Sequence, residues 1–390
     1  MKVCGIIAEF DPFHRGHEYL IREARRRSGC DYVAVVLSHA FVQRGTPGLF
    51  STQDRVRMAL AGGADAVFAL PVSFACAPAD RFAQGAVSIL RHLGVVTSIA
   101  FGCENAQAGD QLRQAAACIR EADPAYEAAL RRALQTGVSY PAARAQAVSA
   151  VTGLSPRLLA EPNNILAIAY MKQMMEGEAP PAPVMIQRLG RRSGGMDGFR
   201  PSSALRASLL ADGVDALAGD LPETSLSIIR DALVTGRLCP PEALTQALFY
   251  RLYATSPDVW RRYTTSDEGI ENRLERALRS GPATQETLLA RIKTRRYTYA
   301  SLQRWLSRIL LDLPPADDPE EPRYIRILGF RSSARPLIRA VQQRASLPVV
   351  TRPAAARDLL ADDARAEQLW LLGSGKPGSL FTQSPVQLTV

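Results

Sequence analysis

No stretch of this chain is long and apolar enough to cross a bilayer. The longest suspicious stretch, Ala66 to Ala79, carries no charge but is too short and is interrupted by Pro71 and Pro78. There is no basic leader ahead of a cleavable apolar segment, because the first apolar run leads straight into His14 and His17, so cytoplasm is the expected compartment. Six cysteines (Cys4, Cys30, Cys76, Cys103, Cys118, Cys239) are widely scattered and form no CxxC pair, which favours reduced, structural thiols. Histidine is scarce too. His39 and His92 are the only others, and no close cysteine pair completes a zinc set, so no protein metal site is expected. No internal repeat is visible.

What the chain does have is length for a sizeable core plus a second domain, with 390 residues, 47% hydrophobic and 22% charged. Its formal charge of +9 points to a polyanionic partner. Arginine dominates the cations, as bidentate phosphate contacts favour, although a G+C-rich genome gives the same enrichment. The cations cluster: Arg291, Lys293, Arg295 and Arg296 lie in one run with Tyr297 and no acid. Arg304 and Arg308 continue it along a predicted helix whose Trp305, Leu306, Ile309 and Leu310 form a packing face.

The apolar runs Val3 to Ala8, Tyr32 to Leu37, Ala66 to Leu70 and Val95 to Phe101 read as buried strands. Helices predicted from near His17, over Asp54 to Ala61 and over Arg81 to Arg91 alternate with them, which is a parallel α/β rhythm. Residues 107 to 180 read as helical, with breaks at Thr136-Gly137 and Gly153 to Pro156. A strand is predicted at Val184 to Ile186, and Pro201-Ser202-Ser203-Ala204 resembles a helix start. Pro314 to Pro319 reads as a linker, Ile325 to Phe330 as a strand or tight buried segment, and Ser374 to Val390 as a mobile tail.

The strongest chemical signal is Asp11-Pro12-Phe13-His14-Arg15-Gly16-His17, at a strand-to-helix turn. There, Gly16 lets backbone approach a triphosphate, the helix N-terminus offers unpaired N–H groups, and two imidazoles can donate to phosphate oxygens. Capping of the first helix by the same histidines remains an open alternative.

Gly5-Ile6-Ile7-Ala8-Glu9-Phe10-Asp11-Pro12-Phe13-His14-Arg15-Gly16-His17 resembles the opening of the bacterial tRNA(Met) cytidine acetate ligases, a branch of the HxGH nucleotidyltransferase superfamily. Phe41-Val42-Gln43-Arg44-Gly45, Phe101-Gly102-Cys103-Glu104, Glu161-Pro162-Asn163-Asn164-Ile165-Leu166, Ser203-Ala204-Leu205-Arg206 and Tyr324 to Phe330 resemble further family blocks in the same order. The implied fold class is α/β: an HxGH nucleotidyltransferase-like parallel-sheet domain over 1–200 with a helical insertion, a mostly helical, tRNA-facing domain over 201–313, and a linker, small C-terminal lobe and tail over 314–390.

The resemblance also implies an ATP site made by Ile7, Ala8, Glu9, Phe10, Asp11, Pro12, Phe13, His14, Arg15, Gly16, His17, Glu18, Tyr19 and Leu20, with Gly102, Asn163 and Arg188. His14 and His17 are its catalytic pair, and Mg2+ accompanies ATP. At Gly102 any bulk would collide with adenine or ribose. Taken alone, Asn163 also suits a helix cap and Arg188 a solvated charge. The implied reaction activates acetate as acetyl-adenylate and acetylates N4 of the wobble cytidine of elongator tRNA(Met), with Lys293, Arg295, Arg296, Arg304 and Arg308 on the tRNA backbone and Tyr297 either stacked on a base or in the core.

Three residues depart from the family pattern: Asp11 where Asn is common, Ala40 within Ser38-His39-Ala40, and Thr52 where Lys is common. Asp11 adds repulsion near phosphate unless paired, Thr52 supplies no charge, and Arg44 or Arg55 are candidate compensators, an exposed helix charge being the other account of Arg55. The stretch Gly190 to Gly195 lacks the family's usual aromatic. Two alternatives stay open: a nucleotidyltransferase for a small phosphorylated metabolite, and an RNA-binding protein with a degenerate nucleotide pocket. The sequence leaves the oligomeric state open.

Overall fold

The computed structural model describes residues 1–177, 179–189, 198–264, 269–315 and 318–389. The apolar runs become strands β1 (Val3–Ala8), β2 (Tyr32–Ser38), β3 (Ala66–Leu70) and β4 (Val96–Cys103), followed by β5 (Ala182–Gln187). These five are parallel, in the spatial order β5-β4-β1-β2-β3. The chain builds outward from β1 to β3, then returns to the other side of β1 for β4 and β5. The order reverses between β1 and β4, and a crevice opens there beyond the strands' carboxyl ends.

Burial on both faces explains why the strands read as continuous apolar runs rather than alternating ones. Along β2, Val33, Val35 and Leu37 face one layer while Ala34 and Val36 face the other. The first layer holds the helices Arg15–Ser28 and Thr52–Ala61. The second holds Ala79–His92, Pro162–Met174 and the alanine-rich helices between residues 109 and 152.

The helical region expected from residue 201 starts within this architecture. Leu205 and Leu209 of the helix Ser202–Asp212, and Leu226 and Ile229 of Glu223–Val234, pack into the same layer as the first helix. The cluster with its own core begins at Thr245–Tyr253 and closes with Tyr299–Leu311, around Leu274, Trp260, Trp305 and Leu306.

The C-terminal region differs more from expectation. Strand β6 (Ile325–Arg331) joins the central sheet antiparallel to β3, and β7 (Val349–Val350) and β8 (Val386–Leu388) flank it in parallel. The expected mobile tail is therefore corrected: Val386, Gln387 and Leu388 pair with Gly329, Phe330 and Arg331. A buried polar network secures this region. Asp363 accepts the Val72 N–H (2.8 Å) and the Tyr324 hydroxyl (2.6 Å), and Arg326 donates toward His39 Nε2 (3.0 Å).

Candidate active site

Beyond the ends of β1 and β4 lies a cleft of about 710 Å³. Its floor is the turn from β1 into the first helix. That helix starts at Arg15, two residues earlier than expected, because both histidines cap it. His14 Nδ1 accepts the Gly16 N–H (3.0 Å), and His17 Nδ1 accepts the His14 N–H (3.2 Å), a reciprocal capping box made of imidazoles. The rings stack with centroids 3.7 Å apart. Each Nδ1 is an acceptor, so each neutral ring carries its proton on Nε2. Capping and ligand contact are thus not exclusive: one ring nitrogen does the first and leaves the other for the second.

Electrostatics keep both rings neutral. Burial, then the Arg188 charge, lowers the His14 pKa to about 4. Burial, His14 and Arg188 hold His17 well below the usual imidazole range. At neutral pH the pair are Nε2–H donors without charge. Gly16 is needed for a reason the sequence did not show. A Cβ there would sit 2.8 Å from the His14 ring, so the absent side chain makes room for the imidazole.

Ile7, Ala8, Glu9, Phe10 and Asp11 line the cleft, as do His14, Gly16, His17, Tyr19 and Leu20. Four residues of the expected run do not. Phe13 is fully buried, packed edge-on against Phe10 at 5.0 Å, and Pro12 is buried beside it. Arg15 is exposed and, with Glu18, falls outside the lining. From the other side of the switch point come Gly102, Asn163 and Arg188. Gly102 faces open space, with nothing within 4 Å of where a Cβ would be. Arg188 anchors its backbone on the Cys103 carbonyl (2.8 Å), while its exposed side chain has no ion pair among the described residues. Asn163 is not a helix cap: it is the second residue of Pro162–Met174, and its amide donates to Glu104. The neighbouring Asn164 does the structural work, accepting the Glu104 N–H (3.1 Å) and donating to Glu161 (2.8 Å).

The departures from the family pattern turn out to be buried, and only one of them lines the cleft. Asp11 accepts the N–H groups of Leu49 (3.0 Å) and Phe50 (3.1 Å) and pairs with Arg206 (3.6 Å), so its charge is compensated. Ala40 and Thr52 are buried outside the lining. Arg55 is neither a phosphate ligand nor an exposed helix charge. It is fully buried and donates to the carbonyls of Glu9, Ser38, His39 and Phe50. Arg44 is exposed and lines the cleft. Residues 190 to 195 lie outside the described residues.

The basic cluster divides. Arg308 is removed from the expected RNA surface: it is buried, pairs with Asp318 (2.6 Å) and donates to the Ser73 and Cys76 carbonyls. Arg304 lines the cleft and reaches the Gln43 carbonyl (3.4 Å). Arg295 and Arg296 are exposed, Lys293 is half-buried, and Tyr297 packs against the helical core. Gly45 permits this arrangement. It has a φ of +86°, and a Cβ on it would meet the Arg304 backbone at 2.7 Å. The helix Tyr299–Leu311 is therefore seated directly on the Phe41–Gly45 loop.

Sequence reasoning missed Arg206, Asp80 and Arg144 as cleft residues. Arg206 stood inside a family block and was the findable one. The other two meet only through folding, as an ion pair 2.6 Å long. All six cysteines are free, and none lines the cleft. Among the described residues no helix is long and apolar enough to cross a membrane.

The family model described as HIGH Nucleotidyl Transferase matches residues 1–379. The chain is 35% identical over 374 residues to the tRNA(Met) cytidine acetate ligase of Acetivibrio thermocellus, covering 90% of this chain and 88% of that one. It is 35% identical over 362 residues to the ligase of the same name from a Geobacillus species, with 90% and 89% covered. The crystal structure of Thermotoga maritima TmcAL bound with alpha-thio ATP superposes with a TM-score of 0.91 at 26% identity, covering 100% of both chains.

Proposed function

The chain belongs to the tRNA(Met) cytidine acetate ligase family of HIGH nucleotidyl transferases, and from that premise we propose how its cleft performs the ligation. Acetate attacks the α-phosphorus of ATP, giving acetyl-adenylate and pyrophosphate. The N4 amine of the wobble cytidine of elongator tRNA(Met) then attacks the acyl carbon, and AMP leaves. Adenylation is needed because a free carboxylate has no adequate leaving group.

One observation carries this reading: His14, His17, Arg188, Asn163 and Gly102 converge on one cleft at the switch point of the sheet. The two Nε2–H donors hold the charge that develops between the α-phosphate and departing pyrophosphate. Arg188 neutralises phosphate, the Asn163 amide reads a base or ribose edge, and the open space at Gly102 admits the nucleoside. Mg2+ enters with ATP. The described residues hold no group of three or more His, Cys, Asp or Glu placed to bind a metal, and triphosphate and water oxygens suit this ion.

The test is to incubate the protein with ATP, labelled acetate and unmodified tRNA, then analyse the digested nucleosides. Labelled N4-acetylcytidine is expected. ATP turnover with only a small metabolite as acceptor would overturn the reading.

The tRNA is proposed to lie along the turn at Lys293, Arg295 and Arg296, beside the cleft wall formed by Thr298, Ala300 and Arg304. Changing Lys293, Arg295 and Arg296 together to alanine is expected to weaken tRNA binding and to flatten its log–log salt dependence by roughly two. Acetate-dependent ATP–pyrophosphate exchange continues. Wild-type affinity and salt slope in a filter-binding titration would place the RNA surface elsewhere.

A further inference from the structure

Acylation of a cytosine amine needs somewhere for a proton to go. The N4 lone pair is delocalised into the ring, so the nitrogen becomes a competent nucleophile only as it loses hydrogen. Most groups in the cleft that might take that proton are already committed. His14 and His17 use Nδ1 as acceptors for backbone N–H groups and carry hydrogen on Nε2. Asp11 is engaged by Leu49, Phe50 and Arg206. Asp80 is paired with Arg144 (2.6 Å) and Lys172 (3.9 Å). Tyr170 is a phenol that burial keeps protonated.

Glu9 is different. It is the residue after β1, it lines the cleft, and its Oε1 accepts the Gln43 N–H at 2.7 Å. Its Oε2 has no hydrogen-bond partner among the described residues, yet it is not among their sealed, unpartnered buried atoms. One oxygen therefore fixes the carboxylate while the other remains free in the cleft. Burial raises its pKa, the Gln43 N–H opposes this, Asp11 raises it further, and Arg206 and Arg55 pull it down. The net shift is upward, toward a stronger base.

We propose that Glu9 is the general base of acetyl transfer, its Oε2 accepting a proton from the cytidine N4 amine as that nitrogen bonds to the acetyl carbon. The acyl C–O bond to AMP breaks and its electron pair leaves with AMP. The proton rests on Glu9 until solvent removes it. This inference rests on the acetyl-adenylate reading above.

The competing account is that Glu9 only holds the Gln43 loop. Glu9→Gln separates the two, because an amide oxygen can still accept the Gln43 N–H but cannot take a proton. Single-turnover acetyl transfer from added acetyl-adenylate to tRNA is measured beside acetate-dependent ATP–pyrophosphate exchange. The expected loss in transfer exceeds any loss in exchange by about 100-fold.

A second measurement needs no variant. Wild-type transfer falls as pH drops through the raised Glu9 pKa, an acid limb above the ordinary carboxylate range. The groups facing Glu9 in this titration are Asp11 on its own loop, Arg55 and Arg206 from two helices, and Tyr170 from Pro162–Met174. In Glu9→Gln that limb disappears. Equal losses in both half-reactions, or a wild-type transfer rate flat across that range, overturns the inference. A wild-type protein that forms acetyl-adenylate but no N4-acetylcytidine removes the acetyl-transfer reading, and this inference with it, before any variant is made.

Discussion

Acetate-dependent ATP–pyrophosphate exchange is expected to fall roughly 10–1000-fold in both His14→Ala and His17→Ala. The size of the effect comes from removing a donor aimed at charge that develops during adenylyl transfer. Each alanine also removes a cap, which costs about 1 kcal/mol of stability, so the two contributions have to be separated. Asparagine does this at both positions. Its amide oxygen can stand in for Nδ1 as the acceptor of Gly16 N–H or His14 N–H, yet it offers nothing at the Nε2 position. His14→Asn and His17→Asn should melt close to wild type and still lose exchange. Full turnover in the folded asparagine variants would take the Nε2–H donors out of the mechanism.

The same geometry fixes the pH dependence. Both rings are neutral in the fold, with His14 lowered to about 4 and His17 also depressed. The unfolded chain protonates them near the ordinary imidazole value of about 6.5. Their contribution to stability is present above that value and is lost as pH falls below it. Exchange through neutral pH should therefore show no limb from these histidines. Protonation at lower pH would put a hydrogen on Nδ1 and break both caps.

What was legible in the sequence follows from how local each determinant is. Strands β1 to β4 were visible because burial on both faces leaves an unbroken apolar run, the edge strand β5 was marked only by the short apolar run Val184 to Ile186, and the histidine turn was visible because its residues are contiguous. Strand β6 was legible as a strand, but its partner was not: Ala66 pairs with Phe330 across most of the chain, and no local pattern specifies that. The tail from Ser374 misled for the opposite reason. Its turn residues and short apolar run carry little propensity, and Val386 to Leu388 become a strand only because β6 offers a free edge.

Charges were the least legible residues. Arg304 and Arg308 stand one helical turn apart in the same basic run, yet one lines the cleft and the other is buried against Asp318. The difference depends on a loop and a linker contributed from elsewhere. Asn163 and Asn164 divided their roles in a way that adjacency could not reveal.

Arg55 shows the same point with the largest expected effect on stability. Its guanidinium ties together three separate stretches: Glu9 after β1, Ser38 and His39 at the end of β2, and Phe50 before its own helix. No carboxylate forms an ion pair with it among the described residues. Its compensation is carbonyl oxygen, with Asp11, Glu9 and Glu367 contributing at longer range. Arg55→Leu removes the shared donor and leaves these carbonyls without their partner in a dry site, which costs roughly 3–5 kcal/mol in urea unfolding. Arg55→Lys should recover little of that, because a compact ammonium cannot span acceptors arranged around a planar fork. ATP affinity should fall in parallel, since the Glu9 and Phe41–Gly45 walls of the cleft depend on the loops that Arg55 holds. Wild-type stability and ATP affinity in Arg55→Lys would mean that a single positive charge, rather than the guanidinium's geometry, organises this side of the site.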